Sequence, residues 1–229
     1  MNASMLRARR GPALFRIPRI AAALLGVALI NCGDVLVDVA SDTGLGIYSE
    51  SGQRLQPDVD VFIGTFSGGG AVLREVARDT RVRAEGKESL RTTVSASGPG
   101  FAGWYVAWGP GARAGDDGYT RDLSAYAGGS LKLSVRSPVD LEVGVRSGNV
   151  PAGVESSKSA LSRAVGFAPG PGWQRLCIPL ARFAGPAPGA DLGRVKVLFV
   201  VAVSPASGGT GGADATFWID DVRWDPRPC

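Results

Sequence analysis

Residues 130–147 read "SLKLSVRSPVDLEVGVRS", and this stretch decides the class of fold. Apolar and polar residues alternate in two segments, "LKLSVR" at 131–136 and "LEVGVR" at 141–146. Because successive side chains of a strand point to opposite faces, each segment predicts a strand with one buried face. The residues "SPVD" that join them are few enough for a hairpin, so we expect the two strands to pair.

The run "VKVLFVVAV" at 195–203 is apolar on both faces after Lys196, which predicts a central strand. A buried helix is the alternative, but the valine content and the flanks rich in Gly and Pro favour a strand. The remaining predicted strands are "GIYSE" at 46–50, "DVFIGTF" at 60–66, "SLRTTVSA" at 89–96, "GWYVAWG" at 103–109, "WQRLCIPL" at 173–180 and "FWIDDVRW" at 217–224.

Many short strands separated by turn residues, with 33 Gly and 15 Pro in the chain, predict an all-β fold. We expect a two-sheet antiparallel β-sandwich of the jelly-roll type. The one segment with a possible helical pattern is "SSKSALSRAV" at 156–165, which lacks a strong apolar face.

The N-terminal segment explains the net charge of +4. Residues 1–31 hold five of the 25 basic residues and no acidic one, which leaves 20 basic and 21 acidic residues in the remainder. A basic nucleic-acid-binding domain is therefore not indicated. The 12 uncharged residues Ile20–Asn31 follow the arginines and are too short for a membrane span, as expected of a secretory signal.

Cys32 directly follows this apolar segment, and "LINC" at 29–32 is similar to a bacterial lipobox. Asn31 stands where that motif has a small residue, so lipid attachment at Cys32 and secretion without it both stay open. We expect a signal over residues 1–32, a linker over 33–44 and a single domain over 45–229, exported to the cell envelope or beyond it. If Cys32 carries lipid, Cys177 and Cys229 remain as a disulfide pair in an oxidising compartment, the alternative being two free thiols.

Five segments in order carry a family resemblance: "AEGKESLRTTV" at 84–94, "RDLSAYAGGSLKLSVRS" at 121–137, "WQRLCIPLARF" at 173–183, "DLGRVKVLFVVA" at 191–202 and "FWIDDVRW" at 217–224. Together they resemble the galactose-binding-like jelly-roll family of carbohydrate-binding modules, which often accompany bacterial glycoside hydrolases. The resemblance covers roughly Leu45 to Trp224. It implies a sandwich that binds glycans without chemistry, on a concave sheet face or in the loops at its rim.

The resemblance also implies a structural calcium at the sandwich edge, held by a carboxylate near the first strand and one in the last. The matching positions are Glu50, or Asp42, together with Asp220 or Asp221. Independently, Ile219 and Val222 are separated by an odd number of residues, so burying both requires a β-bulge at the acidic pair. The pair is then a calcium ligand, a structural element paired with Arg223, or, least in keeping with the rest of the chain, a catalytic group.

Catalysis has little support in the sequence. The chain has no His, which removes Ser-His-Asp and Cys-His arrangements and His-ligated metals. Asp116 and Asp117 lie in "AGDDGY", which has the composition of an ordinary turn. We therefore expect a protein that is not an enzyme.

Sugar binding calls for flat aromatic faces beside groups that hydrogen-bond hydroxyls. In "FAGWYVAWGP", Trp104 and Trp108 share one strand face and Tyr105 takes the other. If the tryptophans point outward they form a stacking platform, and if they point into the core Tyr105 becomes the stacking residue. The polar faces of the alternating strands add Glu142, Arg146 and Arg136, which either line a groove or form a solvated exterior.

These observations predict non-catalytic binding of an oligo- or polysaccharide by an exported module. A cell-envelope interaction module of the same fold is the alternative, and a divergent glycan-active enzyme is the weakest one.

Overall fold

Two antiparallel sheets form the computed structural model, which describes residues 44–48, 61–95, 99–109, 120–148, 158–184 and 189–229. In these residues the strands are β1 Leu45–Tyr48, β2 Val61–Gly68, β3 Val72–Asp79, β4 Ser89–Ser95, β5 Phe101–Trp108, β6 Ser130–Ser137, β7 Glu142–Ser147, β8 Lys158–Ala160, β9 Gly170–Pro179, β10 Val195–Val203 and β11 Asp214–Asp225. One short helix, α1, spans Leu161–Val165, and single 3₁₀ turns lie at Ser124–Tyr126, Leu180–Arg182, Leu192–Arg194 and Pro205–Ser207. The predicted all-β sandwich is confirmed.

The six-stranded sheet has the order β3-β4-β11-β6-β9, with β1 also paired to β11. The five-stranded sheet has the order β2-β5-β10-β7-β8, so the apolar run at 195–203 is the central strand that its composition predicts. No helix among the described residues is long and apolar enough to cross a membrane.

The predicted hairpin between β6 and β7 is wrong. β6 lies in the six-stranded sheet and β7 in the five-stranded sheet, so "SPVD" carries the chain from one sheet to the other. Both strands still bury their apolar faces, because the two sheets face each other across one core. Strict alternation is satisfied equally well by two paired strands and by two strands in opposite layers.

Two inter-sheet hydrogen bonds tie this core together. Trp104 Nε1 donates to Thr92 Oγ1 at 2.9 Å, which joins β5 to β4, and Trp224 Nε1 donates to the Leu198 carbonyl at 3.0 Å, which joins β11 to β10. Buried indole N–H groups need such acceptors, since an unsatisfied donor in the interior costs about 1–3 kcal/mol.

The predicted β-bulge at Asp220-Asp221 is confirmed. Along β6, Asp220 lies opposite Ser134 and Arg223 lies opposite Lys132, so three steps on β11 match two on β6. Asp221 has a φ of 48°, and Ile219 and Val222 are both fully buried. The other edge of β11 changes partner at this point, from β4 up to Ile219 to β1 from Val222 onward.

The C-terminal tail is fastened to the six-stranded sheet. Cys177 of β9 and Cys229 form a disulfide with Cα atoms 5.7 Å apart. The buried Asp225 carboxylate accepts hydrogen bonds from Arg227 Nε at 3.0 Å and from Lys132 Nζ at 2.7 Å. These hydrogen bonds, that from Arg227 most of all, hold the pKa of Asp225 far below its usual range.

Candidate functional site

The outer face of the five-stranded sheet carries a group of half-buried and exposed aromatic side chains. Trp104, Val106 and Trp108 of β5 are buried in the core, so Tyr105 between them points outward. The register places Tyr105 opposite Gly64 of β2 and Val200 of β10, and Val200 opposite Gly144 of β7. In this row of residues across the sheet, Tyr105 is therefore the large side chain, and its neighbours on either side are smaller.

Tyr105 lies flat over Gly64, since a Cβ at that glycine would collide with the phenol ring. Two phenylalanines of β2 flank it on the same face. The ring centroids of Phe62 and Phe66 are 5.8 and 6.3 Å from that of Tyr105, and Phe101 lies 6.2 Å from Phe66. The aromatic edge, defined as Phe62, Phe66, Phe101 and Tyr105, thus runs along β2 and β5.

Charged side chains lie on the opposite side of this face, along β7 and β8. Glu142 and Arg146 have the same parity as Gly144, and the register places Lys158 of β8 opposite Gly144. Glu142 Oε2 accepts a hydrogen bond from Ser204 Oγ at 2.5 Å. The buried Nε of the half-buried Arg146 has no hydrogen-bond partner in the part of the chain that the structure describes.

Side chains from the two edges of this sheet meet above its outer face. β2 and β8 are those edges, which in a flat sheet of five strands would lie about 19 Å apart. Lys158 Nζ lies 5.9 Å from the ring centroid of Phe66. The two long side chains thus reach toward each other over small residues such as Gly144, Val200 and Ala202, with about 10 Å between β5 and β7. We call this surface the concave groove.

The platform predicted from Trp104 and Trp108 is wrong, because the two indoles are 0% and 1% exposed and belong to the core. The alternative from the same alternation, with Tyr105 on the outside, agrees with the structure. Arg136 also lies apart from the other candidates, since β6 belongs to the six-stranded sheet. Tyr105, Glu142 and Arg146 are thus the predicted residues that the fold brings onto one face.

Sequence reasoning missed Phe62, Phe66 and Lys158. The signal for the first two was present in "DVFIGTF", where Phe62, Gly64 and Phe66 alternate with other residues and share one strand face. Lys158 has no such signal, since the segment 156–165 has only a possible helical pattern; in the structure Lys158–Ala160 form the strand β8 and the helix α1 follows at Leu161–Val165.

The carboxylates predicted to hold calcium are engaged with protein donors. Asp220 Oδ2 accepts from the backbone N–H of Ala84 at 2.8 Å and of Glu85 at 3.0 Å, and Asp221 Oδ1 pairs with Arg223 at 3.1 Å. Among the described residues, no group of three or more His, Cys, Asp or Glu is placed to hold a metal ion. Glu50, like Asp42 and Cys32, lies outside the described residues, so the calcium site stays a prediction.

The β-sandwich fold and the aromatic edge beside the concave groove suit a carbohydrate-binding module. The sequence model of the family "Carbohydrate binding domain 30" matches residues 58–226. The chain belongs to this family, and the predicted resemblance and the predicted function, non-catalytic carbohydrate binding, are confirmed.

Two solved structures of family 30 modules are similar to the chain. One matches with 20% identity and a TM-score of 0.57, over 83% of this chain and 91% of the other. The second, the module of a cellulosomal cellulase of Clostridium thermocellum, matches with 22% identity and a TM-score of 0.52, over 79% and 95%. At these identities the likeness shows the fold. No curated protein sequence matches the chain.

Proposed function

We propose that the chain binds an oligo- or polysaccharide in the concave groove, with Tyr105 as the central stacking residue. The observation that carries this proposal is the placement of the aromatic edge opposite Glu142, Arg146 and Lys158, above a floor of small side chains. Aromatic rings pack against the C–H surfaces of pyranose rings, and charged or amide groups beside them hydrogen-bond the hydroxyls.

The site is organised before a ligand arrives. The aromatic residues lie on strands of a sheet, and each ring contacts another ring of the group. Fixed side chains lose little conformational entropy when a sugar binds, which improves affinity. Arg146 adds hydrogen-bond donors on the opposite side, and its buried Nε has no hydrogen-bond partner within the described residues.

Replacing Tyr105 with Ala tests the proposal. The variant should lose up to about tenfold in affinity, since stacking is worth roughly 0.5–1.5 kcal/mol in comparable ring contacts. Retention in gels that contain hydroxyethylcellulose, mixed-linkage β-glucan, xylan or galactomannan measures this loss. Arg74→Ala, which removes an exposed ion-pair residue of the six-stranded sheet, is the control. Equal retention of Tyr105→Ala and the wild type would remove Tyr105 from the site.

We also propose that the domain performs no hydrolysis itself. Across the five described strands of the concave sheet, Glu142 is the single acidic residue, and it already accepts from Ser204. Glycoside hydrolysis ordinarily uses two carboxylates that flank the scissile bond. Release of reducing sugar from any of the four polysaccharides by the purified domain would contradict this proposal.

Finally, we propose that the protein is exported and attached to lipid through Cys32, with the domain over 45–229 outside the cytoplasm. The arginine-rich segment followed by Ile20–Asn31 supports export, and the disulfide between Cys177 and Cys229 suits an oxidising compartment. Mass spectrometry of the protein purified from membranes should find acyl groups on an N-terminal Cys32. Recovery of a soluble, unacylated chain alone would contradict the lipid attachment.

A further inference from the structure

A second groove lies on the outer face of the six-stranded sheet, on the opposite side of the sandwich from the concave groove. Phe217 and Ile219 are buried, so Thr216 and Trp218 of β11 point outward. The groove is open and has a volume of about 500 Å³. We call it the Trp218 groove, and it is lined by Arg136, Pro138, Gly170, Pro171, Thr216 and Trp218.

The indole of Trp218 is held in one orientation. Its Nε1 donates to Asp79 Oδ2 at 3.0 Å, and Asp79 Oδ1 accepts from the backbone N–H groups of Arg81 and Val82. The hydrogen bond from Trp218 is the largest cause that lowers the pKa of Asp79. Asp79 is therefore an ionised acceptor at neutral pH, and the half-buried ring is fixed without a ligand.

Arg136 completes the groove from the neighbouring strand. It lies directly across from Trp218 in the register, and its guanidinium carbon is 5.0 Å from the ring centroid. Within the described ranges no carboxylate pairs with Arg136, in contrast to Arg91 on the other side of Trp218, which binds both oxygens of Glu75. The N–H groups of Arg136 are therefore available to acceptors in the groove.

These elements match what a sugar ring requires. The tryptophan and the two prolines give apolar surface for the C–H face of a pyranose, and Arg136, whose guanidinium lies over the indole ring, gives hydrogen-bond donors close to that surface. Among the described residues that line the groove none is acidic, so neutral hydroxyls and ring oxygens meet donors there rather than carboxylates. An open groove of this size suits a sugar unit within a longer chain better than an enclosed small molecule.

We propose that the Trp218 groove is a second carbohydrate-binding site, in which a pyranose unit stacks on Trp218 and is hydrogen-bonded by Arg136. This second site is separate from the proposed site in the concave groove, and the two sites share no residue. Because the two sites are on opposite faces, one straight glycan chain does not reach both. The domain therefore bridges two polysaccharide chains, a consequence that rests on the proposed function of the concave groove.

The test measures affinity and bridging separately. The probe is whichever of hydroxyethylcellulose, mixed-linkage β-glucan, xylan and galactomannan retains the wild-type protein most strongly. Gel retention gives the affinity, and light scattering of dilute protein–polysaccharide mixtures reports the growth of bridged particles. The variants are Trp218→Ala, Tyr105→Ala and the double variant, with Arg74→Ala, an exposed ion-pair residue of the six-stranded sheet, as the control.

We expect the wild type and Arg74→Ala to form large particles. Each single site variant should still be retained but should form none, because one remaining site cannot bridge. The double variant should lose retention. If Trp218→Ala forms particles and is retained as the wild type is, the second site is wrong. If no probe retains the wild type, the result counts against both sites.

Trp218→Ala also removes the hydrogen-bond donor to Asp79, so a loss of binding in this variant could come from local unfolding. A second variant controls for this effect. Arg136→Ala leaves that hydrogen bond in place and should weaken retention by about threefold in a Tyr105→Ala background, where the Trp218 groove acts alone. If Tyr105→Ala retains full affinity while the Trp218 and Arg136 variants lose it, the Trp218 groove stands and the concave groove falls. If neither Trp218→Ala nor Arg136→Ala changes retention in that background, the pair is structural only.

Discussion

The two outer faces of the sandwich differ in how many charged side chains they carry and in whether these form ion pairs. The face of the six-stranded sheet carries ion pairs that join two strands, join a strand to a loop or, for Arg223 and Asp221, lie within β11: Arg74–Asp214, Arg78–Glu88, Arg91–Glu75, Lys132–Asp225, Arg175–Glu85 and Arg223–Asp221. The strands of the five-stranded sheet carry few charges, namely Glu142, Arg146, Lys158 and Lys196, and present aromatic rings instead.

Because of this difference, we expect the six-stranded sheet to contribute mainly to stability and the five-stranded sheet mainly to ligand binding. A face whose charges are already paired has little hydrogen-bonding capacity left for a ligand, although each exposed pair adds only about 0–1 kcal/mol to stability. The concave groove keeps ring faces and the Arg146 guanidinium for a ligand. The Trp218 groove is a local exception on the paired face, where an indole and an arginine replace the ion pairs. Changes on the two faces should therefore have separable effects.

The largest expected effect is on stability and comes from the six-stranded sheet. Replacing both Cys177 and Cys229 with Ser removes a cross-link between residues 52 apart, which should cost about 4 kcal/mol of unfolding free energy. Denaturation in urea measures it. Affinity for the retained polysaccharide should be unchanged at a temperature where the variant is folded. A parallel loss of affinity would show that the two faces are not separable.

The next effect is the pH dependence of Asp225. Its folded pKa is below the unfolded value, so the carboxylate stabilises the fold above the unfolded pKa of about 3.9, and this contribution is lost as the pH falls through that value toward the folded pKa. Asp225→Asn should lower stability by about 2 kcal/mol at pH 7 and much less near pH 2. Melting curves of both proteins between pH 2 and 7 test this. A constant difference across that range would contradict the assignment.

A third effect distinguishes an arginine on each face. Arg146→Ala should weaken polysaccharide binding about tenfold, because it removes charged donors from the groove, with little loss of stability since the buried Nε has no partner among the described residues. Arg175→Ala, whose pairing with Glu85 is largely exposed, should change neither quantity measurably. Calorimetric titration with thermal melts gives both. Loss of binding in Arg175→Ala would move the site to the other face.

The smallest expected effect tests whether binding depends on the position of the Tyr105 ring in the concave groove. Gly64→Ala places a methyl group against the ring of Tyr105 and should shift the ring, weakening binding by a few fold. Gly128→Ala is the matched control, since a methyl group there meets nothing within 4 Å. Equal affinities of the two variants and the wild type would mean that the position of Tyr105 over Gly64 is not required.

Much of the fold follows from local patterns in the sequence. The odd separation of Ile219 and Val222 demands a bulge if both are buried, and that constraint acts within one strand. The pairing of β6 with β7 could not be obtained in the same way, because alternation states which residues share a face and not which sheet the strand joins. The hairpin prediction failed for that reason.

The residues of the candidate binding site were harder to predict from the sequence, for the same physical reason. Alternation in β5 puts Tyr105 opposite to Trp104 and Trp108 but leaves open which side is the core. Choosing the side requires the second layer, which depends on contacts between residues far apart in sequence. Lys158 of β8 meets Phe66 of β2 across the sheet, a contact that depends on the strand order and that no local pattern carries.

The central claim, that the concave groove binds the sugar, is tested most directly by two-dimensional NMR of backbone amides during titration with an oligosaccharide of the retained polysaccharide. Gly64, Gly103 and Gly144 lie in the strands of that sheet, and their amide signals fall in a sparsely populated region of the spectrum. At low ligand concentration we predict that these signals and those around Tyr105 shift together. Shifts confined to β3, β4, β6 and β9, with the signals of these glycines unmoved at saturation, would contradict the account.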